Sequence, residues 1–440
     1  MKGLKLLSLL FIAFGLILTL GSVGIYTQAQ GQKIVWVSTQ LVPIQEAEFV
    51  RNEILKPFTE ETGIEVEFIG AEYGELFTRL EGEARAGQGS TDLVGGLQGD
   101  FVGIAQFMDD ISDVLAGLTG RTFAEGDVAL GNINDVQVFV PWMRATYLMM
   151  ANKKALDYLP EGADVNALTY EQLVAWGQAL QEATGEPKLG IPAGPRSLLH
   201  RFVHGYAYPS FTGSTVKKFM SDEAVAMWEF LRDQLWPQVH PAVATADSMD
   251  TLLLEETVWV AWDHTARLKQ APVERPDDFI AIPAPAGPNG RGYIAILAGL
   301  GIPKTAPNRD AAAQLIEYLT RPETQVKILE GVGFFPSVAE AAGVVPPGAL
   351  RVLAEGVSNQ AGAADALPAL IPGGLGPRGG DFGAIYRDTF IRIVINGEDI
   401  STVLQQQGQL LHELFQETGA ACPLPDPPEQ PCSVEGVGGM

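Results

Sequence analysis

The chain has 440 residues, 46% of them apolar and 19% charged, and its 53 acidic against 29 basic residues give a formal charge of −24. So long a chain exceeds what one core encloses and suits two lobes of roughly 150 to 200 residues. A field of that sign repels phosphate backbones and anionic lipid heads, which argues against nucleic acid and peripheral membrane partners and favours solubility and neutral or cationic solutes.

Residues 1–29 carry Lys2 and Lys5, an apolar run over 6–20, and small or polar residues ending Thr27-Gln28-Ala29. This is the layout of a secretory signal peptide cleaved after Ala29. Left uncleaved, the apolar stretch 6–25 is just long enough, at about 20 residues, to anchor the chain in a bilayer. Either way the bulk of the protein lies outside the cytoplasm, and cleavage, by removing Lys2 and Lys5, leaves 53 acidic against 27 basic residues. Residues 34–37 read as a short strand followed by the polar loop Ser38-Thr39-Gln40. A helix over 46–62 turns Val50, Ile54 and Phe58 to one face and stops at Gly63, with Pro57 predicting a kink or a break. Ile64, Val66 and Phe68 then alternate as a half-buried strand. In such a β-α-β unit ligands sit beyond the carboxyl ends of the strands, which puts Gln40, Glu72 and Tyr73 on the binding side. Another helix covers 76–86, and Asp92-Leu93-Val94 is a strand opening into the polar loop 95–100.

In residues 136–150, VQVFVPWMRATYLMM, Pro141 forbids one continuous central strand, so the chain bends there from one sheet into another. Thr169 and Gln172 form a capping box for a helix ending near Gly185, and Ser221 caps a second one. Between these helices lies HRFVHGYAYPSFTG, whose rings suit a binding wall, with Tyr206 or Tyr208 as a stacking platform and core packing as the alternative. A strand over 257–261 leads into Trp262-Asp263-His264. A carboxylate beside an aromatic face grips a polyol, C–H bonds lying on the ring while hydroxyls donate to the oxygens.

Residues 279–282 form a strand that Pro283 and Pro285 end, and Asn289-Gly290 is a turn. In the apolar run 293–302, Gly299 and Gly301 leave room for another backbone or a ligand. Asn308 or Asp310 caps the next helix, and Thr320 with Glu323 makes a capping box for its successor. An apolar face marks a last helix over 400–418. Cys422 and Cys432 flank the proline-rich tail CPLPDPPEQPC. Outside the cytoplasm so close a pair forms a disulfide worth ~2 to 3 kcal/mol, or else stays as two thiols on a disordered tail.

The order of these motifs resembles that of the extracellular solute-binding proteins of ABC importers, in their sugar-binding, maltose-binding-protein-like type. A strand ends in a proline pair, a Gly-rich strand runs into Ile302-Pro303-Lys304, a helix follows, and then comes Thr320-x-Pro322-Glu323-x-Gln325; the likeness extends over about residues 33–419. It implies a periplasmic-binding-protein-like α/β fold of two lobes with a central ligand cleft and three crossings, near 140–146, 282–286 and 332–336. Residues 30–142 and 284–333 would form the first lobe, 143–283 and 334–419 the second, and 420–440 a tail. By position the resemblance implies Gln98 and Asp100 as holders of sugar hydroxyls, although Thr91 stands where the family usually has Pro. It places Trp142 and Arg144 at the hinge, Trp262 and Asp263 on the sugar, and Phe382 or Tyr386 in the same platform. It implies a monomer without cofactor that binds a sugar or oligosaccharide and delivers it to membrane permease subunits. No Cys follows the signal directly, so the lipid anchor of many relatives is not expected.

A secreted hydrolase with an inter-lobe carboxylate pair such as Asp100 and Asp263, and a receptor for a non-sugar solute such as a polyamine, are the alternatives. Other catalytic patterns fail by context. Gly374-x-Gly376-x-x-Gly379 contains Pro377 and follows no strand; His200 and His204, four apart, lack the Glu of H-E-x-x-H and a third metal ligand.

Overall fold

The computed structural model describes residues 32–42, 44–345 and 348–437, so the segment 1–29 expected to be a signal peptide lies outside the described residues. Its two main sheets belong to two α/β lobes. In the first, β1 (Lys33–Ser38) pairs in parallel with β2 (Glu65–Gly70) and with β3 (Leu93–Leu97). The helical connection between β1 and β2 runs through Ile44–Phe49, a π-helical Val50–Leu55 and Lys56–Thr62. Pro57 does not break it: a π turn stands just ahead, helical structure continues to Thr62, and the missing N–H falls in the first turn of the last segment.

After a small hairpin of β4 (Asn132–Ile133) and β5 (Val136–Gln137), β6 (Val140–Ala145) joins the first sheet. One residue later the second sheet begins, with β7 (Tyr147–Asn152), β8 (Leu189–Gly190), β9 (Val260–His264) and β10 (Phe279–Ile282). The chain then forms β11 (Arg291–Ile294), β12 (Ile296–Gly301), β13 (Phe335–Pro336) and β14 (Ala366–Ala369). The first sheet is ordered β13-β6-β12-β3-β1-β2 and the second β10-β7-β9-β8, while β11 and β14 pair by themselves.

Strand direction decides which edges meet. Because β12 is antiparallel to both β3 and β6, the carboxyl ends of β1, β3 and β6 share one edge. Thr146 alone separates β6 from β7, so that edge faces the second lobe. There β8 and β9 are parallel and β7 is antiparallel to β9, which puts the carboxyl ends of β8 and β9 on the edge facing back.

The second crossing comes later than the proline pair suggests. The chain re-enters the first sheet at Ala295, because residues 284–294 stay bound to the second lobe. The Arg291 guanidinium, 1% exposed, donates to Leu168 O at 3.2 Å and to Ala284 O and pairs with Asp365, while Gly292 N donates to Ser210 Oγ at 2.9 Å. The third passes from β13 to the helix Ala349–Ala361, whose Gly356 lies so close to Ala281 of β10 that a Cβ there would overlap it.

Three buried glutamines tie the crossings together. Gln98 donates to Ala295 O at 3.2 Å and accepts from Leu297 N at 3.1 Å. Gln360 bridges Thr146 Oγ1, Tyr147 O and Ala284 N, and Thr146 Oγ1 donates to Ile294 O at 2.8 Å. Gln325 holds Trp142 O at 2.8 Å and Ser337 N at 2.9 Å. Buried amides with both ends satisfied fix relative position more sharply than apolar contact does.

Apolar cores cover both faces of the first sheet, one around Trp36, Phe68 and Trp142, the other around Val94, Phe101 and Phe139, and a third surrounds the second sheet. Thr169 and Gln172 do form the capping box expected of them. Thr320 does not, since its hydroxyl turns back onto Ile316 O at 2.8 Å and closes the helix before it. The tail is packed: Cys422 and Cys432 are disulfide-bonded, Cys432 is fully buried, and Asp426 accepts from Thr215 N at 2.9 Å and Val216 N at 2.8 Å.

Candidate functional site

The facing edges supply two polar walls. On the first lobe, the turn after β1 gives Thr39 and Gln40, held by Leu41, a non-glycine residue at φ 63°. Such a conformation costs about 1 kcal/mol or more and is retained where the surroundings enforce it. Asp100, in the first turn of the helix Gln98–Ile104, accepts from Thr39 Oγ1 at 2.7 Å and from Leu97 N at 3.0 Å, both on Oδ2. Burial raises its pKa, and those two hydrogen bonds oppose the rise. Tyr73 opens the helix Tyr73–Ala86, with its hydroxyl against Gly103, where a Cβ would collide. Its pKa is raised by burial and then by the charge of Asp100, which places the two in one neighbourhood. Glu72 is exposed just before them. Gln40, Glu72, Tyr73 and Asp100 therefore gather at the carboxyl edge.

Other residues with an expected ligand role lie elsewhere, for reasons of packing. Gln98 spends its amide on the second crossing, as described above. Trp142 is fully buried edge-on against Trp36, ring centroids 5.2 Å apart. Arg144 is ion-paired with Asp127. Tyr206 and Tyr208 are both fully buried: the first bonds the Tyr147 backbone, the second stacks on Phe219 at 5.3 Å and donates to Phe219 O. Phe382 and Tyr386 belong to the same aromatic cluster around His204. Gly299 sits at a β-bulge, and the Phe139 ring takes the space its missing side chain leaves. Trp262 is 2% exposed, one layer beneath the wall, stacked on Tyr147 at 5.1 Å and 5°.

Asp263 points the same way as the core. Its oxygens accept from His264 N at 2.7 Å and Met249 N at 3.1 Å, and burial pushes its pKa up to about 8. It does not share a cleft with Asp100 as an acid–base pair would.

The second-lobe wall is built from residues that the ring-rich motifs drew attention away from. The half-buried His264 stands at the cleft-side end of β9, its ring 5.0 Å from that of Tyr147 at the end of β7, which at 4% exposed is buried much as Trp262 is. Arg201, on the helix Leu199–Phe202, lies within 3.3 Å of His204 Nε2. Arg267 follows β9 and donates to Asp247 O at 2.6 Å, and Arg387, on the helix Gly379–Phe390, donates to Gly194 O at 3.1 Å and to Ser197 Oγ at 3.2 Å. The spacing of the arginines, 66 and 120 residues apart in sequence, hides their convergence; only the topology reveals it. The loop after β14 brings Gly373 against Gly99, and a Cβ on Gly373 would lie 3.1 Å from Gly99 O.

A separate groove of about 580 Å³ opens at the third crossing, between Phe123, Arg144, Val338 and Ser358. It touches neither the Asp100 wall nor the arginines. Among the described residues no group of three His, Cys, Asp or Glu side chains is arranged to hold a metal ion.

A family model described as bacterial extracellular solute-binding protein matches residues 43–326. No curated protein matches. Several solved structures share the fold. Maltose-bound MalE3 of T. maritima is 20% identical, with 87% of this chain and 99% of that chain covered at a TM-score of 0.61. The sugar-binding protein MalE of Xanthomonas citri is 16% identical, with coverage of 88% and 98% and a TM-score of 0.69. UgpB of Mycobacterium tuberculosis, in complex with glycerophosphocholine, is 17% identical, with coverage of 88% and 99% and a TM-score of 0.58.

Proposed function

The chain belongs to the bacterial extracellular solute-binding protein family, and from that premise we propose that it is the extracytoplasmic receptor of an ABC importer, closing on a sugar or oligosaccharide and delivering it to the membrane permease. The observation that carries this reading is the facing pair of polar edges, one with Asp100, Thr39 and Gln40, the other with His264 and the arginines, joined by crossings short enough to act as a hinge. Contacts to both walls at once are what drive closure, since a ligand shifts an equilibrium only by its differential affinity for the two states. Asp100 takes solute hydroxyls on Oδ1, its other oxygen being engaged. The maltose and sugar ligands of the T. maritima and X. citri proteins favour a carbohydrate here too.

The receptor acts as a monomer, is secreted by cleavage after Ala29, and leaves its solute unchanged. Supporting the last point, Asp263 is committed to backbone donors inside the core. Among the described residues no helix is long and apolar enough to cross a membrane.

A thermal-shift screen of sugars against the mature chain, with product analysis of each hit, tests the proposal. A binder gains ~4 kcal/mol at a thousand times its dissociation constant and returns the ligand intact. Turnover of the hits would establish an enzyme instead.

A further inference from the structure

We infer that the solute carries an anionic group, a phosphate or a carboxylate, which docks on Arg201, Arg267 and Arg387 of the second-lobe wall while its polyol end meets Asp100. The inference rests on the receptor reading above and narrows its ligand class.

Three observations carry it. The first is convergence: Arg267 and Arg387 both hold the loop 194–197, Arg267 through Arg196 O at 3.4 Å while also donating to Asp247 O, Arg387 through Gly194 O and Ser197 Oγ. His200 lies within the field of Arg201, Arg387 and Arg267 together. The second is the absence of partners. Among the described residues, none of these three arginines is in a salt bridge, although Arg309 holds Asp109 and Asp113 and Arg321 holds Glu61 and Glu317. A chain so rich in carboxylates has no shortage of partners. The nearby carboxylates act on these arginines only at a distance: Asp247 lies in the field of Arg267 and Arg387 but is bonded to Arg196 at 2.9 Å, Asp250 caps Gln270 N and Ala271 N, Asp263 is buried on backbone donors, and Asp388 is exposed. The third is an orphan donor. Arg201 Nε is buried without a hydrogen-bond partner, and leaving such a group unpaired costs about 1 to 3 kcal/mol, more when it is charged.

A guanidinium fork matches the paired oxygens of phosphate and carboxylate. The neighbouring histidines stay neutral, His200 drawn down to about 3 and His264 to about 4, first by burial and then by the arginines, so they offer hydrogen bonds without adding charge. The Asp100 carboxylate across the cleft repels an anion, which fixes the solute's orientation. The overall negative charge does not overrule this wall, because exposed charges are screened over about 8 Å at physiological salt.

Calorimetric titration of the mature chain with neutral sugars and polyols paired with their acidic forms tests the inference: glucose with glucose 6-phosphate and glucuronate, glycerol with glycerol 3-phosphate, and inorganic phosphate alone. The expected result is that at least one acidic form binds about tenfold or more tighter than its neutral parent. Arg201→Gln and Arg387→Gln should each abolish that difference, while Arg351→Gln, away from this wall, keeps it; melting curves confirm that the variants fold. Equal affinity for parent and acidic form, an advantage that survives both substitutions, or no binding by any anionic probe would each overturn the inference. Neutral sugars bound without an acidic advantage would leave the receptor reading standing, whereas tight binding of inorganic phosphate or glycerol 3-phosphate with no sugar bound would uphold the anion site and sink the carbohydrate reading.

Discussion

Asp263 shows how far a residue's chemistry depends on the layer it occupies. Beside Trp262 it reads as a hydroxyl acceptor, yet it is fully buried and its carboxyl is raised to about 8. A group whose folded pKa lies above its ordinary value stabilises the fold fully below that ordinary value, and the contribution is lost as pH rises through the folded value. Asp263→Asn, which keeps an acceptor for one of the two backbone donors, should therefore be less stable than the wild type near pH 5, with the gap in Tm closing towards about pH 8.5. A gap that is constant or widens across that range would place the ionised form in the fold. Gly299 gives a second test: a methyl there must displace the Phe139 ring, so Gly299→Ala should lose about 1 to 3 kcal/mol in urea unfolding. Sequence marked the tightness at Gly299 and the polar character of Gln40, Tyr73 and Asp100. It could not separate wall from core among the rings, because Tyr206 and Trp262 pack with Tyr147 in one aromatic group and Tyr208 and Tyr386 with Phe219 in another, each assembled from distant segments. The arginines were missed because no local pattern marks side chains that meet only across three elements.

Among elements, strands and caps with local signals were legible: Thr169 with Gln172, and the β1–β2 unit. Pro141 misled, since it lies within β6 opposite the bulge at Gly299, and the chain changes sheet only at Thr146. Ladder partners settled what local signals did not. Pro283 and Pro285 end β10 as expected, but the chain remains on the second lobe until Ala295 because β11 pairs with β14, about 75 residues further on. The C-terminal loop is bound to this region, since Leu370 N donates to Leu424 O at 3.0 Å within the disulfide-closed tail. Removing the bond by Cys422→Ser and Cys432→Ser together should cost ~2 to 3 kcal/mol, measured by denaturant unfolding. The neighbouring Gly373 bears on closure rather than stability. Gly373→Val would press against Gly99 O and hold the lobes apart, so solute affinity should fall about tenfold with Tm nearly unchanged. An unaltered affinity would show that the lobes close without this contact.

For the whole molecule, motif order sufficed to anticipate two lobes joined by three crossings, but the first two crossing points, at Thr146 and Ala295, carry neither proline nor glycine and are set by the ladders on either side. Net charge was a poorer guide to the ligand, since a sum over the surface says nothing of a wall where arginines outnumber available carboxylates. The central claim is that a solute bound between facing carboxyl edges draws the lobes together. Small-angle X-ray scattering of the mature chain, free and saturated with its tightest solute, tests this most directly. A smaller radius of gyration on saturation, lost when Asp100→Ala removes the first-lobe contact, is the predicted result. An unchanged radius at full occupancy, or compaction that persists without Asp100, would contradict it.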